Sequence, residues 1–211
     1  MKLPRLYPIL DTATLARRGM DVATAAGVML DAGIGILQLR HKEHFTRELF
    51  QTSEDIAVLC RKRGVPFVMN DRADLALMLN AGLHLGQDDL APATARRLIG
   101  AERVLGYSTH NEAQLSDAAQ TPVDYLALGP IFSTTSKENP DPEVGLDSAA
   151  RWRKLFAGPI VAIGGITMEN APEVLAAGFD SVAVISGLYP DPLTPASLRE
   201  RILAWQSLVK N

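Results

Sequence analysis

Eight times along the chain a short, β-rich apolar run is followed by a longer amphipathic stretch, and this repetition constrains the fold more than any other feature. Such alternation builds βα units around a parallel sheet, since two parallel neighbours need a long crossover between them. Strands are expected at residues 6–10, 36–39, 67–69, 83–85, 104–107, 125–128, 160–163 and 182–185, with a helix after each. The 211 residues leave about 26 per unit, near the lower end for closed barrels. An open doubly wound sheet would show the same alternation, but no glycine-rich turn follows the first strand. The expectation is therefore an α/β protein: one (β/α)8 TIM-barrel domain over residues 1–211. The segment 133–145, STTSKENPDPEVG, is too rich in proline and polar residues for regular structure and reads as a mobile binding loop.

Composition narrows the class of function. A formal net charge of −3 offers no global attraction to nucleic acid or anionic membrane, so anions must be met locally. Cys60 is the single cysteine; it cannot form an intramolecular disulfide, and on a helical stretch it reads as a buried thiol in a reducing compartment. The start, MKLPRLYPILD, lacks the features of a signal peptide, and no apolar run reaches the ~20 residues of a membrane span, so a cytoplasmic location is expected.

Chemistry on a barrel of this kind sits at the carboxyl ends of the strands. After the second strand, period-two alternation sends Gln38, Arg40 and Lys42 to one side and Leu39 to the other, which offers two cations and an amide to an anionic group. Asn70-Asp71 ends the third strand and Gln87-Asp88-Asp89 follows the fourth. Asp71 and Asp89 read as ligands for Mg²⁺, a hard cation that takes one or two carboxylates and completes its shell with phosphate and water. Helix capping is the alternative role for each, and Asp74 and Asp88 need do no more. The fifth strand runs into Ser108 and His110; the sixth leads to Thr134, Thr135, Ser136 and Lys137, whose hydroxyls and ammonium suit phosphate oxygens. Gly164-Gly165 and Ile185-Ser186-Gly187 end the last two strands, where small residues let backbone amides approach an anion. Two anionic groups are accommodated, and no nucleophile is paired with a base.

The strings QLRHK, MNDRADLAL, LHLGQDDL, GYSTH, YLALGPIF followed by TTSK, VAIGGI and SVAVISG resemble, in order and spacing, those of thiamine phosphate synthases. The resemblance runs through nearly the whole chain. It implies condensation of hydroxymethylpyrimidine diphosphate with a thiazole phosphate, aromatic or carboxylated, releasing diphosphate. It assigns Gln38, Leu39, Arg40, His41 and Lys42, with Asn70, Ser108 and Lys137, to the pyrimidine diphosphate, and among these Arg40, Lys42, Lys137 and Ser108 to catalysis. Asp71 and Asp89 would hold Mg²⁺, and Thr134, Thr135, Ser136, Gly165, Ile185 and Ser186 the thiazole phosphate. Ser136 stands where the family usually has threonine, Asn80-Ala81-Gly82 is one residue short of the usual turn, and Leu10-Asp11 replaces Thr-Asp. The implied displacement is dissociative, so His84 and His110 are not required as acid or base. Two rivals are a thiazole tautomerase on the same barrel, using His110 but having no use for the diphosphate machinery, and a non-catalytic sensor of thiamine precursors. The expected partners are small molecules; the oligomeric state is open.

Overall fold

The computed structural model describes residues 2–134 and 141–210. Its strands are β1 (Leu6–Asp11), β2 (Leu37–Arg40), β3 (Phe67–Asn70), β4 (Gly82–Leu85), β5 (Leu105–Thr109), β6 (Tyr125–Leu128), β7 (Ile160–Ile163) and β8 (Ser181–Val184). They form a closed parallel barrel in sequence order, with β8 returning to β1. Helices lie between them: α1 (Thr12–Arg17), α2 (Val22–Asp31), α3 (Arg47–Arg63), α4 (Ala73–Met78), α5 (Pro92–Ile99), α6 (Glu112–Ala118), α7 (Leu146–Trp152) and α8 (Ala171–Ala176), with α9 (Pro195–Leu208) after β8.

One helix per strand was the expectation, and the first crossover departs from it. Gly19 adopts φ 71°, which ends α1, and the Asp21 carboxylate then accepts from Thr24 N and starts α2 afresh. The expected strand 182–185 is observed one residue earlier, because Ile185 turns out of the sheet into a 3₁₀ turn, Ser186–Leu188.

Strand alternation produces two apolar layers. Tyr7, Ile9, Ile36, Val68, Tyr125, Ala127, Val161 and Ala183 fill the barrel, while Leu37, Leu39, Met69, Leu83, Leu85 and Leu105 pack outward beneath the helices. Cys60 is buried in the outer layer, and burial pushes its thiol up to about 12, which keeps it protonated. Closure depends on the two ends of the chain. Val182 N donates to Arg5 O, and the Arg5 guanidinium donates to Phe179 O, 174 residues away. Among the described residues no helix is long and apolar enough to cross a membrane.

Candidate active site

A cavity of about 740 Å³ opens at the carboxyl ends of the strands. Its first wall follows from register. Asp11 and Arg40 are paired neighbours on β1 and β2, both inward, and their side chains meet at 2.5 Å. Asp11 is only 4% exposed, and its second oxygen accepts from Thr14 N and Thr14 Oγ1 at the start of α1. A buried carboxylate is tolerable only with such partners, so Arg40 is held in place rather than free in solvent.

Three further charges gather beside it. Lys42 Nζ donates to Asp71 Oδ2 at 2.5 Å, and Asp89 stands close enough to feel the charges of both. Burial pushes the Asp89 carboxyl above its usual range and the Asp71 charge adds to this, against the pull of the Gly86 amide, which donates to Asp89 Oδ2 at 2.7 Å. Asp71 has φ 65°, a left-handed conformation that Asp tolerates better than most residues, and its amide donates to His84 O. Neither aspartate caps a helix: α4 follows Arg72 and α5 follows Ala91, both without a side-chain cap. Asp74 pairs with Arg72 outside the cavity, and Asp88 lines it.

Two neighbouring carboxylates, with Lys42 paired to one of them, form an oxygen-only donor set that suits a divalent cation. Among the described residues no group of three or more His, Cys, Asp or Glu side chains could hold a metal. A cation here would thus take most of its shell from elsewhere, as Mg²⁺ does from phosphate and water.

The floor is polar. Gln38 Nε2 donates to Tyr7 Oη (3.1 Å), which shares a hydrogen bond with Tyr125 Oη (2.7 Å). Tyr125 Oη bonds His84 Nδ1, and His84 Nε2 bonds Ser108 Oγ, both at 2.8 Å. Burial raises the Tyr7 phenol to about 12, so it stays protonated. Beside this chain Asn70 Nδ2 is buried without a hydrogen-bond partner among the described residues, on the cavity wall. A buried donor left unpaired costs about 1–3 kcal/mol, which marks a place where a ligand acceptor belongs.

The other half of the ring is built from the loops after β6, β7 and β8. Gly164 (φ 94°) and Gly165 (φ 65°) let the β7 loop pass under the β6 loop, where Ile131 N and Phe132 N donate to Ile163 O and Gly164 O. A Cβ on Gly165 would lie 2.5 Å from Ser133 O. Thr134, Gly165, Ile185 and Ser186 all line the cavity with Gly187. Thr135, Ser136 and Lys137 lie outside the described residues.

Two residues of the expected set turn their side chains away from the cavity. Leu39 is fully buried in the outer layer, and His41 bonds Thr12 Oγ1 and His44 O while its ring meets Phe45 edge-on. Neither is on the cavity wall, because alternation along β2 that turns Gln38 and Arg40 inward turns Leu39 outward. Leu39→Ala should therefore lower unfolding free energy in urea by about 2–5 kcal/mol while leaving substrate KM unchanged, and a raised KM in the folded variant would return Leu39 to the site.

His110 does line the cavity, with Nδ1 2.5 Å from Gly129 O and 3.4 Å from Asp141 Oδ2. Tyr7, Tyr125, Gln87 and Asp11 are site residues that sequence reasoning missed. Inward parity on their strands was the available signal for Tyr7, Asp11 and Tyr125. Gln87, in a loop, gave none.

A closed parallel barrel whose ionisable and hydroxyl side chains converge at the carboxyl ends of its strands is a TIM-barrel enzyme. The family model described as thiamine monophosphate synthase matches residues 6–188. The chain belongs to the thiamine monophosphate synthase family and is a transferase of thiamine biosynthesis. It is 46% identical over 205 residues to the thiamine-phosphate synthase of Koribacter versatilis, covering 93% of this chain and 94% of that one. With the Chloroflexus aurantiacus enzyme of the same name it shares 39% over 201 residues, covering 94% and 92%. Thiamine phosphate pyrophosphorylase from Pyrococcus furiosus superposes with a TM-score of 0.83 at 26% identity, over 98% of this chain and 96% of that one. A native KDPGal structure aligns at TM-score 0.75 and 15% identity, over 100% of this chain and 96% of that one, a likeness of fold alone.

Proposed function

We propose that this enzyme condenses hydroxymethylpyrimidine diphosphate with thiazole phosphate, giving thiamine phosphate and diphosphate, with Mg²⁺ held by Asp71 and Asp89. The observation that carries the reading is the meeting in one cavity of two unlike halves, each suited to an anion: Arg40, Lys42 and the neighbouring carboxylates on one side, the Gly165 and Ile185–Gly187 loops on the other. Bound Mg²⁺ would supply charge to the diphosphate and so make it a better leaving group.

The chain's own residues do the rest. Arg40, already oriented by Asp11, and Lys42 bind the diphosphate oxygens, and the resemblance adds Lys137 to them. Asn70 gives its unpaired amide to the same ligand. Gln38 and Ser108 hold the pyrimidine ring, and Thr134, Ser136 and the amides at Gly165, Ile185 and Ser186 hold the thiazole phosphate. With both rings fixed, the bond from the pyrimidine methylene to the diphosphate oxygen breaks as charge accumulates on the bound oxygens, and the thiazole nitrogen closes on the methylene. No base is needed, since the nitrogen carries no proton to remove. Proximity and preorganised charge are each worth several kcal/mol without covalent catalysis.

The deciding assay incubates the purified protein with both substrates and Mg²⁺, with and without chelator, and follows thiamine phosphate and diphosphate together. Equimolar products that vanish with chelator are expected. Folded protein that binds both substrates and yields neither product would defeat the proposal.

A further inference from the structure

The polar chain on the cavity floor crosses the inside of the barrel, from Gln38 on β2 through Tyr7, Tyr125 and His84 to Ser108 on β5. Its three middle members are almost wholly buried, at 1%, 0% and 7% exposure, and both of its ends line the cavity. An apolar floor would be cheaper to bury. The barrel also gives up a side chain for the chain to pass: a Cβ on Gly106 would lie 2.1 Å from Tyr125 Cζ and 2.6 Å from His84 Nδ1.

Each link carries one proton, and this ties the two ends together. Gln38 donates from Nε2 to Tyr7, so Tyr7 spends its proton on Tyr125 and Tyr125 spends its own on His84 Nδ1. An imidazole with a single ring proton then carries it on Nε2 and donates to Ser108, whose own proton is left for the cavity. The reverse sense turns the Gln38 amide so that Oε1 accepts from Tyr7. Every proton then shifts to the other side of its hydrogen bond, His84 is protonated on Nδ1, and Ser108 spends its proton on Nε2 and can only accept from a ligand. No net charge moves between the two states.

We propose that Tyr7, Tyr125 and His84 are positioning residues that lock Gln38 and Ser108 into opposite polarity, so that the pocket reads a heterocycle by a donor and an acceptor presented together. An aminopyrimidine, with an amino donor beside a ring-nitrogen acceptor, has that pair. The part of this that concerns the ring rests on the function proposed above; the lock itself does not.

The test separates the two. In ligand-free protein, ¹⁵N NMR of His84 should show the Nε2–H tautomer. Gln38→Glu, at a pH where the new carboxylate is ionised and can only accept, should convert it to Nδ1–H, although residue 38 touches neither His84 nor Ser108. Adding Tyr125→Phe, or Tyr7→Phe if that variant folds better, should abolish this response, leaving the tautomer of the corresponding single Phe variant. Calorimetry with hydroxymethylpyrimidine diphosphate alone should show about tenfold weaker binding to Gln38→Glu, the worth of one net hydrogen bond. A His84 tautomer indifferent to Gln38→Glu, or a response that survives both Phe substitutions, overturns the lock. A tautomer that responds in protein without affinity for the pyrimidine diphosphate upholds the lock and overturns the substrate reading.

Discussion

Asp71→Asn is expected to lower metal-dependent turnover by on the order of 10³-fold, the scale of several kcal/mol of lost leaving-group stabilisation. The substitution keeps the size of the side chain and its tolerance of the φ of 65° at this position, and removes one of the two carboxylates that face each other. Its cost in stability should be small. The lost ion pair is to Lys42, whose side chain is 54% exposed, and removal of the Asp71 charge relieves Asp89 of a like neighbour. Thermal melting should therefore stay near wild type while turnover collapses, and the Mg²⁺ concentration for half-maximal rate should rise. Wild-type kinetics with wild-type chelator sensitivity would remove Asp71 from the proposed metal site. Asp71→Ala should lose the same activity and slightly more stability, because alanine is less at ease in the left-handed region.

The largest stability effect is expected at Gly129, on the turn that leaves β6. A Cβ there would sit 2.0 Å from Ile163 O and 2.9 Å from the carbonyl carbon, both backbone atoms of β7 with no rotamer to give way. The two strands would have to part where Leu128 registers with Ala162, and Ile131 N would lose Ile163 O. Gly129→Ala should cost about 3 kcal/mol or more in urea unfolding. Gly27 provides the opposite case. It lies inside α2 with nothing within 4 Å of a Cβ, so Gly27→Ala should stabilise by about 0.5–1 kcal/mol. A Gly129→Ala melt matching wild type would mean that β6 and β7 can part there at little cost.

The barrel was legible because buried parallel strands are short apolar runs, and runs are local. The strand ends were legible for the same reason, which is how Arg40, Asp71, Asp89 and the glycine pairs were found. What the strings did not convey has two physical origins. A motif is a contiguous string, whereas a strand shows a cavity only alternate residues, so QLRHK brought in Leu39 and His41, which face away from the site. Contacts across the ring depend on register, which no local pattern encodes. The Tyr7–Tyr125 bond joins residues 118 apart, and Asp11 looked like a marginal departure from the family string until β1 aligned it with Arg40. Thr135, Ser136 and Lys137 lie outside the described residues, so their assignment rests on the resemblance.

The seam between β8 and β1 also orders events in time. While the chain is being made, β1 and the strands paired to it would form an open sheet with two bare edges, and the partner for the first edge, Val182 for Leu6, lies 176 residues downstream. Bare parallel edges are sites of mispairing, and distant contacts close slowly. The ribosome must therefore deliver all eight strands before the cavity exists, so a nascent chain stalled ahead of β8 would be a client for chaperones rather than a partly active enzyme.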